Sequence, residues 1–199
     1  MSLLRLVGWT VAACAAGMVI FLAATIRVIE PQPDTPPVPA VARPPVAQTG
    51  PTAFIVPVQG IDVATLHNNW GEARGGGTRG HQGLDIMAPA GTPVLAAADG
   101  TVEKLYFSKG GGGVTLYQRA AGGRWMLYYA HLSGYASGIA EGRQVRAGET
   151  LAYVGDTGNA GTGNYHLHFA VATIAPGERW WQGTPVDPYP LLAGTRRGG

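Results

Sequence analysis

The stretch NYHLHFAV, residues 164–171, places two histidines one residue apart in an otherwise apolar run. Alternate residues of a β-strand point to the same face, so His166 and His168 are expected to project side by side. Two adjacent imidazoles contribute little to the packing of a strand. Their pairing therefore suggests that they hold or act on a bound group.

The chain around this pair consists of short apolar or alternating runs separated by glycine-rich turns, from Thr52 to about Leu192. The runs that read as strands are TPVLAAA, GTVEKLYF, GVTLYQR, WMLYYAHL, ETLAYVG and HLHFAVATI. None shows the long 3.6-residue periodicity of a helix. We expect an all-β, mostly antiparallel domain, a sandwich or partly closed barrel whose long loops form a groove.

The N-terminal segment from Leu6 to Ile26 carries no charge, and as a helix it rises about 31 Å, enough to cross a bilayer core of about 30 Å. We interpret residues 1–27 as a retained transmembrane anchor; a cleaved signal peptide, or lipoprotein processing at Cys14, is the alternative. Residues 28–51 contain eight prolines and read as a linker. The predicted domain covers 52–193, and 194–199 form a C-terminal tail.

Charge and cysteine content exclude some classes of protein. The formal net charge is only +2 and no basic stripe is present, so a nucleic-acid partner is not expected. Cys14 is the only cysteine, which rules out an intrachain disulfide.

The other histidines suggest what the His166–His168 pair holds. His81 and Asp85 form an H-x3-D motif, and His131 ends an aromatic strand. On an extended strand His81 and Asp85 would lie about 13 Å apart, so we expect a bend, which Gly83 permits. Two imidazoles and a carboxylate suit zinc, and three protein ligands are typical of a catalytic site that leaves a position for water. Spacing alone does not say which histidine of the pair is the ligand.

Several segments together resemble the lysostaphin-type (LytM-like) zinc endopeptidases, which cut peptide cross-bridges of bacterial peptidoglycan. They are HQGLDIMAPAGTPVLAAADGTV, YYAHLSGY, VRAGETLAYVGDTGNAGTGNYHLHF and PVDPYPLL, and they follow the family order over roughly residues 60–192. The resemblance implies one zinc ion per domain, held by His81, Asp85 and His168. It also implies that His166 acts on the zinc-bound water and that His131 stabilises the tetrahedral intermediate.

The resulting expectation is a membrane-anchored zinc metalloendopeptidase acting on peptidoglycan peptides. It would sit as a single-pass protein in the bacterial inner (cytoplasmic) membrane, with the catalytic domain on the periplasmic side. The oligomeric state is unknown from the sequence. Two alternatives are a non-catalytic or partner-dependent LytM-like module that activates another wall hydrolase, and a sugar-phosphotransfer or biotinyl-type β domain.

The tryptophans leave one question open. Trp70, Trp180 and Trp181 could line the groove or be buried as ordinary core aromatics. His67 matches no motif position and is expected in a surface loop.

Overall fold

The computed structural model describes residues 54–194. The predicted anchor and linker, residues 1–27 and 28–51, lie outside the described residues, as do 195–199 of the predicted tail. Between residues 54 and 194 no helix is long and apolar enough to cross a membrane.

The described chain contains eleven strands. They are β1 (Ala73–Arg74), β2 (Arg79–Gly80), β3 (Leu84–Met87), β4 (Pro93–Leu95), β5 (Gly100–Ser108), β6 (Gly113–Ala120), β7 (Trp125–Tyr135), β8 (Gln144–Val145), β9 (Thr150–Val154), β10 (His166–Thr173) and β11 (Thr184–Val186). A 3-10 turn (Val63–Thr65) precedes them, and the short helix α1 (Tyr189–Ala193) follows them.

The strands pair antiparallel in one nine-stranded sheet and one two-stranded ribbon. The main sheet runs β11-β10-β7-β6-β5-β8, with β3 paired to β10, β9 to β7 and β4 to β9. The ribbon consists of β1 and β2. The prediction of a mostly antiparallel β domain is confirmed, although the main sheet does not close into a barrel.

Each of the six runs predicted as strands contains one, and the elements that the sequence did not predict are short. The ribbon strands and β8 have two residues each, while β3 and β11 have four and three. Segments of this length are too short to show a clear period of two. Strands β3, β8 and β11 form against the edges of longer strands, and β1 and β2 pair with each other.

The core lies on one face of the main sheet, as strand β10 illustrates. Leu167, Phe169 and Val171 are buried in the core, whereas His168 and Ala170 alternate with them and are only partly buried. The strand is amphipathic, with its second face turned away from the core. Because of this alternation, the His168 side chain is not part of the core packing.

The two ends of the described chain meet at this core. The Phe54 backbone N–H donates to the Leu191 carbonyl oxygen at 3.2 Å, and the side chains of Phe54 and Leu192 are both buried. The Phe54 ring also packs edge-on against Trp125, with 5.9 Å between ring centroids.

Candidate metal centre and active site

Strand pairing brings His81, Asp85 and His168 together. The register of β10 against β3 places His168 directly opposite Asp85, and His81 precedes β3 by three residues. His168 Nδ1 lies 3.0 Å from Asp85 Oδ1, and His81 Nε2 lies 3.1 Å from the same oxygen. The two ring nitrogens are 3.0 Å apart.

This set of donor atoms fits a zinc ion. The one ligand atom that each residue offers lies within 4.8 Å of the other two. Ligands about 2.0–2.1 Å from a tetrahedral zinc ion lie about 3.3 Å from one another, close to the spacing observed. Two neutral imidazoles and a carboxylate are ligands that zinc prefers.

Asn69 fixes the orientation of two of these residues. Its carbonyl oxygen lies 2.9 Å from His81 Nδ1, and its side-chain Oδ1 accepts from the Asp85 backbone N–H at 3.2 Å. A carbonyl oxygen can only accept, so Nδ1 of His81 carries the proton and Nε2 presents its lone pair to the metal. Burial lowers the pKa of His81, partly offset by this hydrogen bond, and favours the neutral form that binds metal.

Arg74 holds the second oxygen of Asp85. Its Nη2 donates to Asp85 Oδ2 at 2.8 Å, which leaves Oδ1 to face the two imidazoles. Burial alone would raise the pKa of Asp85, but the hydrogen bond from His168 and the electrostatic interaction with the neighbouring imidazoles outweigh it and lower this pKa to about 2. Asp85 is therefore ionised at neutral pH.

His166 and His131 form a second pair beside the metal centre. Their ring centroids lie 4.8 Å apart, and His166 Nε2 is 3.8 Å from Asp85 Oδ1. His166 Nδ1 donates to the Asn164 carbonyl oxygen, and His131 Nδ1 to that of Thr157, both at 2.8 Å. In the neutral form, both rings therefore carry an unprotonated Nε2.

The backbone of His131 is unusual. Among the described residues, His131 is the one non-glycine residue with a positive φ, which is 61°. Such a conformation costs about 1–3 kcal/mol and is concentrated at functional sites. Burial lowers the pKa of His131, opposed by its hydrogen bond to Thr157, so the neutral ring is favoured.

Gly83 serves the site through its lack of a side chain. A Cβ atom at this position would lie 2.5 Å from His168 Cε1, 2.6 Å from Nε2 of the same ring and 2.9 Å from the Phe169 carbonyl oxygen. Its φ lies outside the left-handed region, so glycine is required here for space. The sequence had suggested conformational freedom instead.

A groove with a volume of about 770 Å³ contains the predicted site residues. Its lining includes His81, Asp85, His131, His166 and His168 together with Arg74, Arg79, Asn159, Asn164, Tyr117, Tyr128, Trp180 and Trp181.

The three tryptophans singled out in the sequence lie in two different places. Trp180 and Trp181 line the groove, and Trp70 is partly buried outside its lining. His67 is exposed, with Nε2 3.7 Å from Glu72 Oε1, as expected for a surface residue.

Sequence reasoning missed the residues that orient the ligands. Asn69 and Arg74 act through bonds to residues 12 and 11 positions away, and no local motif predicts such pairings. The one available signal was their position in the polar segment just before His81.

The chain is similar to known proteins in both sequence and structure. The sequence model of peptidase family M23 matches residues 79–188. The L-Ala–D-Glu endopeptidase of Bacillus subtilis is 34% identical over 164 residues, which cover 74% of this chain and 45% of that protein. The chain therefore spans less than half the length of this relative.

Two solved structures share the fold. The catalytic domain of lysostaphin, an antimicrobial peptidase from Staphylococcus simulans, matches with a TM-score of 0.54 and 28% identity, covering 66% of this chain and 95% of that domain. A zinc-containing peptidase from Vibrio cholerae matches with a TM-score of 0.54 and 27% identity, covering 69% of this chain and 39% of that protein.

Proposed function

Because the chain belongs to peptidase family M23, we propose that it is a membrane-anchored zinc metalloendopeptidase that hydrolyses peptide cross-links of bacterial peptidoglycan. One observation carries the proposal: three metal-donor atoms lie 3.0–3.1 Å apart in a groove that also holds two imidazoles with free Nε2 atoms. The Bacillus subtilis relative, an L-Ala–D-Glu endopeptidase, supports a peptide substrate that contains D-amino acids.

His81 Nε2, Asp85 Oδ1 and His168 Nδ1 would hold the metal. When bound, zinc lowers the pKa of a water molecule and polarises a peptide carbonyl. Arg74 and Asn69 keep the ligands in place before the metal arrives, so little reorganisation accompanies its binding.

His166 is suited to accept a proton. Its Nδ1–H is held by the Asn164 carbonyl oxygen, which leaves Nε2 as the acceptor on the side that faces Asp85. A neutral imidazole in this position acts as a general base toward water and returns the proton to the leaving amine.

His131 would stabilise the negative charge that develops on the peptide carbonyl oxygen. For this its Nε2 must carry a proton, while its Nδ1–H stays with the Thr157 carbonyl oxygen. Burial lowers the pKa of His131, so the neutral ring is favoured before the reaction, and the proton on Nε2 would be taken up from solvent as the negative charge develops beside it.

The experiment that tests this function uses the full-length protein, loaded with zinc and mixed with isolated peptidoglycan. We expect mass spectrometry to find peptide-cleaved fragments whose release stops with a chelator, and whose masses identify the bond. The His166→Ala variant serves as a control that binds zinc and releases little. No release by the zinc-bound parent would contradict the proposal and favour the alternative of an activator module.

The anchor is the second part of the proposal. The uncharged segment Leu6–Ile26 would hold the protein in the inner membrane, and the proline-rich residues 28–51 would space the domain toward the wall. Membrane fractionation after alkaline carbonate extraction tests this. Release of the full-length protein into the soluble fraction would contradict the anchor and leave the enzymatic proposal unaffected.

A further inference from the structure

A continuous run of aromatic rings leads away from the metal centre along the groove. The Tyr128 ring centroid lies 6.0 Å from that of His168, and Tyr117 lies 4.6 Å from Tyr128. Trp180 follows at 4.5 Å from Tyr117, and Trp181 at 5.0 Å from Trp180. We call Tyr128, Tyr117, Trp180 and Trp181 the aromatic wall.

The wall is separate from the hydrophobic core, and its exposure increases outward. None of its four members belongs to the cluster of buried core residues. Tyr128 and Tyr117 are partly buried, whereas Trp181 is 55% exposed. The Arg179 guanidinium lies over the Trp181 ring at 5.2 Å, and the ring also contacts Trp180. A contiguous exposed aromatic surface beside a groove is typical of a ligand-binding site.

The loop that carries both tryptophans is held in place. Within the loop between β10 and β11, Glu178 accepts the Ala175 backbone N–H at 2.7 Å, and Gln182 accepts that of Arg179 at 2.8 Å. Arg119 of strand β6 reaches the Glu178 carbonyl oxygen at 3.4 Å. The wall is therefore organised before a ligand arrives, which reduces the entropic cost of binding.

The chemistry of the groove differs between its parts. Arg74, Arg79 and Asn159 provide polar and cationic groups, while the wall provides flat apolar faces with polar edges. A sugar ring has an apolar face of C–H groups and a polar rim, and this matches an aromatic face better than a charged peptide does. At about 3.3 Å per residue, a peptide stem of about four residues covers about 13 Å, so a linked sugar can reach the wall.

We propose that the aromatic wall binds the amino-sugar rings of the glycan strand to which the substrate peptide is attached. The inference rests on the proposed function and deepens it, since it makes Trp180 and Trp181 specificity-determining residues. A glycan-bearing substrate would be held at two points, one at the metal centre and one at the wall.

The test compares two substrates, the same cross-linked peptide with and without its attached disaccharide. For the Trp181→Ala variant we expect KM to rise about tenfold for the disaccharide-bearing substrate, with kcat nearly unchanged and no effect on the bare peptide. Trp181→Tyr, which keeps an aromatic face, should recover most of the loss. Phe107→Ala is the matched control, because Phe107 is 60% exposed and makes no ring contact with the wall in the described chain.

An equal rise in KM for both substrates would overturn the proposal and show that the wall binds peptide. Unchanged KM for both would also overturn it. Binding of the free disaccharide to the zinc-free parent, followed by tryptophan fluorescence, gives a readout independent of catalysis. If the parent protein binds the disaccharide yet cleaves neither substrate, and Trp181→Ala abolishes that binding, the result would support the aromatic wall and contradict the endopeptidase. Absence of disaccharide binding by the parent would count against the wall.

Discussion

At the scale of single residues, the position of the Nδ1 proton separates the histidines of the site. Nδ1 of His81, His131 and His166 each meets a backbone carbonyl oxygen, at 2.9, 2.8 and 2.8 Å. His168 differs, because its Nδ1 faces Asp85 Oδ1. Backbone carbonyls thus leave Nε2 as the available nitrogen of three rings, whereas His168 presents Nδ1. Because His81 and His166 share one tautomer, their different proposed roles follow from position and not from the tautomer.

Removal of a ligand and removal of a proton carrier should have different effects. His168→Ala is expected to lose bound zinc, because two donor atoms cannot hold the ion tightly. His131→Ala should keep one zinc ion and lose rate by about a hundredfold or more. Zinc content measured by atomic spectrometry, beside the rate of peptidoglycan cleavage, checks both. Parent-like cleavage by His131→Ala would refute its assigned role.

The Arg74 guanidinium should matter for the metal without touching it. Arg74→Gln removes the bond to Asp85 Oδ2, so we expect zinc affinity to fall about tenfold to a hundredfold. Arg79→Gln, the same charge change on the same ribbon at an exposed position, should bind zinc like the parent. Competition with a chromophoric chelator measures both affinities, and equal values for the two variants would contradict the role of Arg74.

The lowered pKa of His131 predicts a pH effect on the zinc-free protein. The unfolded chain, with a His pKa of about 6.5, takes up a proton before the folded protein does. The free energy of unfolding should therefore fall as the pH drops below about 6.5, and level off below the folded-state pKa. His131→Asn, which tolerates positive φ, should weaken this dependence. Denaturant titrations measure the free energy of unfolding of the parent and of His131→Asn at each pH. If the two plots against pH are parallel, the effect is ruled out.

At the scale of elements, strand β10 connects the parts of the sheet that carry the site residues. It pairs with β3 on one side and β7 on the other, and His168 lies opposite both Asp85 and Ala130. One strand thus brings ligands from distant parts of the chain onto one face, while Leu167 and Phe169 attach it to the core. The relative positions of Asp85 and His168 are consequently fixed by the register of the sheet.

The close approach of β10 to the segment before β3 can be tested at Gly83. In Gly83→Ala the added methyl group would push the His168 ring aside, so we expect lost or much weaker zinc binding and about 1–3 kcal/mol lower stability. Gly134→Ala in β7 is the control, since a Cβ there meets nothing within 4 Å. Calorimetric titration with zinc compares the two, and a parent-like affinity in Gly83→Ala would contradict the steric argument.

At the scale of the whole molecule, the core is closed by residues from both ends of the described chain. Phe54 and Leu192 are buried, although 138 positions separate them. The site lies on the other face of the sheet and depends on this closure only through the stability of the fold.

Phe54→Ala should therefore lower the free energy of unfolding by about 3–5 kcal/mol, because it leaves a cavity in the core. Ile55→Ala, at a neighbouring position that is 36% exposed, should have a much smaller effect. Denaturant titration measures both. Zinc affinity of the folded Phe54→Ala protein should match the parent, and a large loss would show that the core and the site are coupled.

The amino-acid sequence by itself determined six of the eleven strand segments, because alternation along a strand is a local property. The His-x-His pair and the H-x3-D motif likewise showed that the chain carries zinc-type donors. Only the tertiary structure decided which nitrogens meet, that Arg74 and Asn69 orient the ligands, and that Gly83 gives His168 room. It also decided that Trp180 and Trp181 stack on Tyr117. These are contacts between residues far apart in the chain, and sheet register and packing create them, so no local pattern contains them.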